Sequence, residues 1–134
     1  MDDDAPRTVG DPGRSDEIRL RLPALAVYAR VARLAMTGLV ARNGFDYDEV
    51  EDVRIAVGEA FGVLVGGAGD DDVIELVSTL DDDGLALAIC RLPARRLDEL
   101  PDLSRQIIAA VVDEATFDLP SGRIRLAKRS GADR

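Results

Sequence analysis

Residues Glu17 to Leu22 alternate, with Ile18, Leu20 and Leu22 on one side and Glu17, Arg19 and Arg21 on the other. A period of two marks a strand with one buried face, and Pro23 stops it. The period then lengthens. From Ala24 to about Ala41, Tyr28, Val31, Ala35 and Leu39 make a helical stripe, which Asn43-Gly44 closes as a left-handed cap. A second helix opens near Asp46 or Asp48, where Asp48, Glu49, Glu51 and Asp52 suit the positive end of the helix dipole. Its stripe is Val50, Val53, Val57, Ala60 and Leu64, and it runs out in Gly66-Gly67-Ala68-Gly69. Two strands follow, Val73 to Leu80 and Leu85 to Cys90, joined through Asp81-Asp82-Asp83-Gly84, a hairpin signal. A charged connection from Arg91 to Pro101 leads to a third helix, N-capped by Asp102 or Ser104, with Leu103, Ile107, Ala110 and Val111 as its stripe. Thr116 to Leu119, a Pro120-Ser121-Gly122 turn and Arg123 to Arg129 end the pattern, with Ile124, Leu126 and Lys128 facing one way.

This order, β-α-α-β-β-α-β-β with two hairpins, predicts the α+β class. The architecture expected is a two-layer α/β sandwich, a mixed and mainly antiparallel sheet with helices on one face. Residues 1–16 are polar, carry Pro and Gly and show no period, so they are expected to be a disordered acidic leader. Residues 17–129 are read as a single domain and 130–134 as a tail.

Composition removes whole classes of chemistry. The 134 residues include no His and one Cys, so a His base, an imidazole metal site, an intrachain disulfide and a thiolate zinc cluster are all excluded. None of the serines has a His to activate it. Seventeen basic against 26 acidic residues give a net charge of −9, which argues against nucleic acid as a direct partner. No run is long enough to span a membrane and no signal peptide is visible, so a cytoplasmic location is expected.

The remaining candidates each have a plain alternative. Glu59, set in the apolar half of the second helix, is either a general base or a boundary residue reaching solvent. Gly66 to Gly69 lacks the Lys and Ser/Thr of a phosphate loop and reads as helix termination. Asp70–Asp72 and Asp81–Asp83 lack calcium-loop spacing and read as solvated turns. Cys90 reads as a small buried hydrophobe. Arg91, Arg95 and Arg96 beside Asp98 and Glu99 read as a surface charge network or a docking patch. Ala32, Ala35 and Gly38 are small enough for a helix-one dimer seam.

Leu20-Arg21-Leu22-Pro23-Ala24, Tyr28 to Ala35, and above all Gly44 to Ala60 (GFDYDEVEDVRIAVGEA) resemble the anti-sigma-factor serine kinases. These form the switch-kinase branch of the histidine-kinase-type (GHKL) ATPase superfamily. The resemblance covers about Glu17 to Arg129 and implies that family's fold and its Mg-ATP site of three short boxes. In the first box Glu59 matches the presumed base, but the metal-holding Asn is replaced by Val63 and a following His by Gly67. In the second, Arg91 stands at or near the adenine-binding Asp, with Pro93 and Arg95 near the glycines. In the third, Asp102-Leu103-Ser104-Arg105 replaces a glycine turn that receives phosphate. The resemblance therefore implies a degenerate regulator without ATP, magnesium or phosphoryl transfer. It would bind a sigma factor or a STAS-type anti-anti-sigma protein, and a second copy of itself as a possible homodimer. An active ATP-dependent serine kinase with unusual ligands and a dimerising scaffold stand as the alternatives.

Overall fold

The computed structural model describes residues 15–131. Its elements run β1 (Asp16–Pro23), a short 3-10 turn (Ala26–Tyr28), α1 (Ala29–Arg42), α2 (Tyr47–Val65), β2 (Val73–Asp81), β3 (Gly84–Leu92), α3 (Asp102–Val111), β4 (Glu114–Asp118) and β5 (Arg123–Arg129). The five strands form one antiparallel sheet in the order β1-β2-β3-β5-β4. The α+β order expected from the hydrophobic pattern is the order observed. The three helices lie on one face of the sheet, and among the described residues the other face has no helix over it.

The core fills the space between the layers. Inward positions of the strands (Leu22, Ile74, Leu76, Leu87, Ile89, Ile124) meet Met36 and Val40 of α1 and Val53, Val57, Phe61 and Leu64 of α2, all buried. α2 starts as its sequence directs. Asp46 accepts from Glu49 N at 2.8 Å while Glu49 accepts from Asp46 N at 2.9 Å, a reciprocal capping box. Gly84 has φ of 141°, and a Cβ there would lie 2.3 Å from Lys128 O, so only glycine lets β5 pass the start of β3.

Several expectations shift. α1 begins at Ala29 rather than Ala24, after the 3-10 turn, and buries Ala32, Met36 and Val40 rather than the stripe through Val31. The helix is apolar around most of its girth, so period alone fits several faces and the sheet chooses one. Ala32 is therefore core and cannot belong to a dimer seam. α3 likewise turns Ser104 and Ile108 inward and leaves Leu103 and Ala110 exposed. Its N-cap is Pro101, with no side-chain bond, and Asp102 and Ser104 both lie inside the helix. Asp16 already belongs to β1. Ser130 is buried and donates to Gly44 O at 3.2 Å, so neither is leader or tail. Residues 1–14 and 132–134, the rest of those two segments, lie outside the described residues.

Candidate functional site

β3 alternates, and this determines the corner where a site was expected. Leu85, Leu87 and Ile89 point into the core, so the next inward position is Arg91. Its side chain is 4% exposed. One terminal nitrogen donates to Leu64 O at 3.0 Å and Gly66 O at 3.4 Å, and the other donates to Arg96 O at 3.3 Å. Leu64 and Gly66 lie at the end of α2, where backbone carbonyls lack helical partners and the dipole is negative. Arg91 is thus a side-chain cap for α2 that also holds the β3–α3 connection. Its Nε is buried with no hydrogen-bond partner.

A second clasp lies beside it. Asp72 accepts from Gly69 N at 2.7 Å and pairs with Arg95. The Arg95 guanidinium first, and the Gly69 amide second, hold the Asp72 carboxyl below the usual carboxylate range, with Arg91 adding its charge. Asp70 and Asp71 are exposed as expected of a solvated turn, but Asp72 is buried, so the triplet is not uniform. The expected surface network is corrected in the same way: Arg91 is inside and Arg95 pairs with Asp72 rather than with Asp98 or Glu99. The connection passes over the β4–β5 turn, where Leu97 N donates to Leu119 O at 2.8 Å. Gly122 there has φ of 69°, and a Cβ would meet Arg95 O at 2.2 Å.

Glu59 is half-buried on α2 and accepts a hydrogen bond from Ser104 Oγ at 2.8 Å. This bond joins α2 to α3 directly. Val63, one turn on, is half-buried against the core and offers no oxygen to a hard cation. A cavity of about 360 Å³ remains between the end of α2 and the connection, lined by Gly67, Arg91, Arg95, Arg96, Leu97 and Glu99 among others. Of the expected pocket positions, Gly67, Arg91 and Arg95 reach it. Glu59 and Ser104 are tied to each other, while Pro93, behind a cis peptide bond, and Asp102 are exposed. Set against the boxes that the resemblance implies, a guanidinium stands at the position of the adenine-binding acceptor, and the metal position is aliphatic. Among the described residues no group of three acidic or thiol side chains could hold a metal.

One surface feature escaped the pattern. Leu25, Val27 (73% exposed), Val31 and Leu34 (66% exposed) are large apolar side chains left outside on the 3-10 turn and α1. Positions 27, 31 and 34 recur at helical spacing, so they share one outward face. The only charges between Ala24 and Phe45 are Arg30, Arg33 and Arg42. The readable signal was an excess of apolar positions in α1, more than one buried face can use. No helix among the described residues is long and apolar enough to cross a membrane.

No family model matches the chain. Serine-protein kinase RsbW of Bacillus cereus (strain AH187) is 38% identical over 78 residues, covering 57% of this chain and 49% of that protein. Serine-protein kinase RsbW of Bacillus thuringiensis (strain Al Hakam) is 41% identical over 63 residues, covering 47% of this chain and 39% of that protein. The chain thus spans about half or less of the length of these curated relatives. Among solved structures, the RsbU and RsbW domains of Rv1364c from Mycobacterium tuberculosis share the fold. The TM-score is 0.65 and the identity 22%, over 86% of this chain and 33% of that one.

Proposed function

We propose, from the chain's relationship to the RsbW-type serine-protein kinases of the anti-sigma GHKL family, that it regulates by holding a protein partner without transferring phosphate. One observation carries the reading: Arg91 fills the corner and is bonded to Leu64 O, Gly66 O and Arg96 O. The Glu59–Ser104 bond supports it, because it occupies the one residue that matches the family's base. A base without a metal ligand, beside a corner where a guanidinium stands in place of the adenine acceptor, performs no phosphoryl transfer.

The partner is of the kind the family implies, a sigma factor or a STAS-type anti-anti-sigma protein. Its contact is the apolar flank of Leu25, Val27, Val31 and Leu34. Apolar residues on a solvated helix face gain free energy only when something covers them. Arg30 and Arg42 on that flank are exposed, so the partner segment carries acidic groups around an apolar centre. Overall acidity, which by itself suggests a basic partner, does not describe this flank.

The test is thermal unfolding with saturating Mg-ATP beside an assay for labelled phosphate transfer. The expected result is an unchanged melting temperature and no transfer. A ligand that binds the folded state must stabilise it, so a rise of several degrees would overturn the reading. Affinity capture from native lysate tests the partner. Recovery of neither a sigma factor nor a STAS protein would count against sequestration.

A further inference from the structure

The sheet ends differently on its two sides. β4, at one edge, has five residues, and the connection crosses the turn after it, where Leu97 N donates to Leu119 O at 2.8 Å. β1, at the other edge, runs eight residues in unbroken register with β2, from Asp16↔Leu80 to Pro23↔Val73. Antiparallel pairing alternates residues that bond across the ladder with residues that do not. Ala24 N donates to Asp72 O at 3.0 Å and Ser78 Oγ donates to Ile18 O at 3.2 Å, so Ile18, Leu20 and Leu22 turn their backbone groups toward β2. The backbone N–H and C=O of Glu17, Arg19 and Arg21 therefore point away from the sheet, and among the described residues no strand lies beyond them. Pro23, whose missing N–H falls on the same side, limits the open stretch at its C-terminal end.

An edge strand is ordinarily blunted by shortness, a bulge, proline or a charge pointing inward. Between Glu17 and Leu22 β1 has none of these. Its charged side chains, Glu17, Arg19 and Arg21, are exposed on the face without helices, while Ile18 and Leu20 on the helix side are only half-buried against the core. A strand added here would complete the cover over Ile18 and Leu20. The charges select its composition. Arg21 donates to Glu75 at 2.8 Å, but Arg19, its side chain 58% exposed, has only contacts of 3.7 Å to Glu17 and Glu75. A residue directly opposite Arg19 on an added strand stands about 5 Å from it between Cβ atoms, within reach for a carboxylate. Glu17 disfavours a further carboxylate opposite itself. The segment that fits therefore alternates apolar and polar residues and carries an acid at its centre.

We propose that β1 is a docking edge, to which an extended acidic segment of a partner protein adds antiparallel as a sixth strand, bonded through the backbone of Glu17, Arg19 and Arg21. Backbone pairing supplies the affinity, Ile18 and Leu20 require apolar residues at alternate positions, and Arg19 requires the acid. The edge is distinct from the apolar flank on the 3-10 turn and α1, so the inference does not depend on the partner named for that flank.

The probe is a capped heptapeptide, Val-Glu-Val-Glu-Val-Thr-Val, which in antiparallel register sets a glutamate opposite Arg19 and the threonine opposite Glu17. In an NMR titration it should bind the purified chain at submillimolar concentration, and the amides of Glu17, Arg19 and Arg21 should shift and exchange more slowly. Arg19→Glu should weaken binding roughly tenfold and favour an analogue with lysine in place of glutamate. Arg19→Pro removes one outward N–H without touching the ladder to β2, and should abolish binding of both peptides while circular dichroism shows the fold intact. If proline unfolds the chain, the charge reversal decides by itself. No binding up to millimolar peptide, or binding indifferent to Arg19→Glu, would overturn the proposal. So would edge amides already protected in the free chain, or a dimer dissolved by Arg19→Pro, since the chain itself would then occupy the edge. Neither Mg-ATP nor lysate capture enters this test, so its failure leaves the proposed function standing.

Discussion

Two regions of this molecule invert the ordinary partition of side chains, in opposite senses. At the end of α2 a guanidinium is inside, and along the 3-10 turn and the start of α1 four large apolar side chains are outside. The first inversion is stabilised locally: Arg91 finds carbonyls whose helix has left them without partners, so a costly burial becomes a bridge between α2, β3 and the connection. The second has no local compensation among the described residues. The terminal nitrogens of the buried Arg91 are satisfied and hold structure together, although its Nε is not, whereas the exposed apolar face gains nothing from its own surroundings. The same protein thus places a bonded guanidinium in an inward corner and leaves an apolar flank exposed.

The comparison breaks most sharply at Arg91. Arg91→Ala strands the carbonyls of Leu64 and Arg96 and leaves a void, and should cost about 2–4 kcal/mol in urea unfolding. Arg91→Lys should recover little, since one ammonium cannot span the same carbonyls. A loss below about 0.5 kcal/mol would mean that the corner is not held by this side chain. On the other region the signs reverse. Val27→Asp with Leu34→Asp should leave stability within about 0.5 kcal/mol yet reduce partner capture tenfold or more, by quantitative pull-down. Unchanged capture would remove the flank from the binding surface.

The smallest effect sharpens how the closed corner responds to acid. The folded-state carboxyl of Asp72 titrates below its unfolded value, so its contribution is complete above the unfolded pKa of about 3.9 and disappears as pH falls through the lower folded value. The stability difference between wild type and Asp72→Asn should therefore be constant from neutral pH down to about pH 4 and close below it. Urea midpoints across that range give the answer, and a gap that persists in acid would assign the role of Asp72 to packing.

How much of this was legible beforehand follows from what each signal measures. The succession of strands and helices along the chain and the stripe of α2 were readable because alternation and capping are local, and Asp46 with Glu49 declares the start of α2 outright. The stripes of α1 and α3 were misread by about one position. Their apolar residues fit more than one face, and only packing against the sheet selects Met36 and Ile108. Glu59, Val63, Arg91 and Ser104 were all identified as positions of interest, but their arrangement was not. No sequence spacing announces that Ser104 reaches Glu59 across 45 residues.

The sequence by itself determined the class of fold, the start of α2 and the absence of histidine chemistry, since these depend on neighbours along the chain and on which side chains exist. It did not place Arg91 inside: the pattern ends the strand at Cys90, whereas β3 runs on to Leu92 and carries Arg91 on its inward register. Only the tertiary structure decided what the inward Arg91 would bond, which face of α1 would be left uncovered, and which strands would stand at the edges of the sheet. Those outcomes depend on contacts between elements far apart in sequence, where distance and burial act and local pattern has nothing to say.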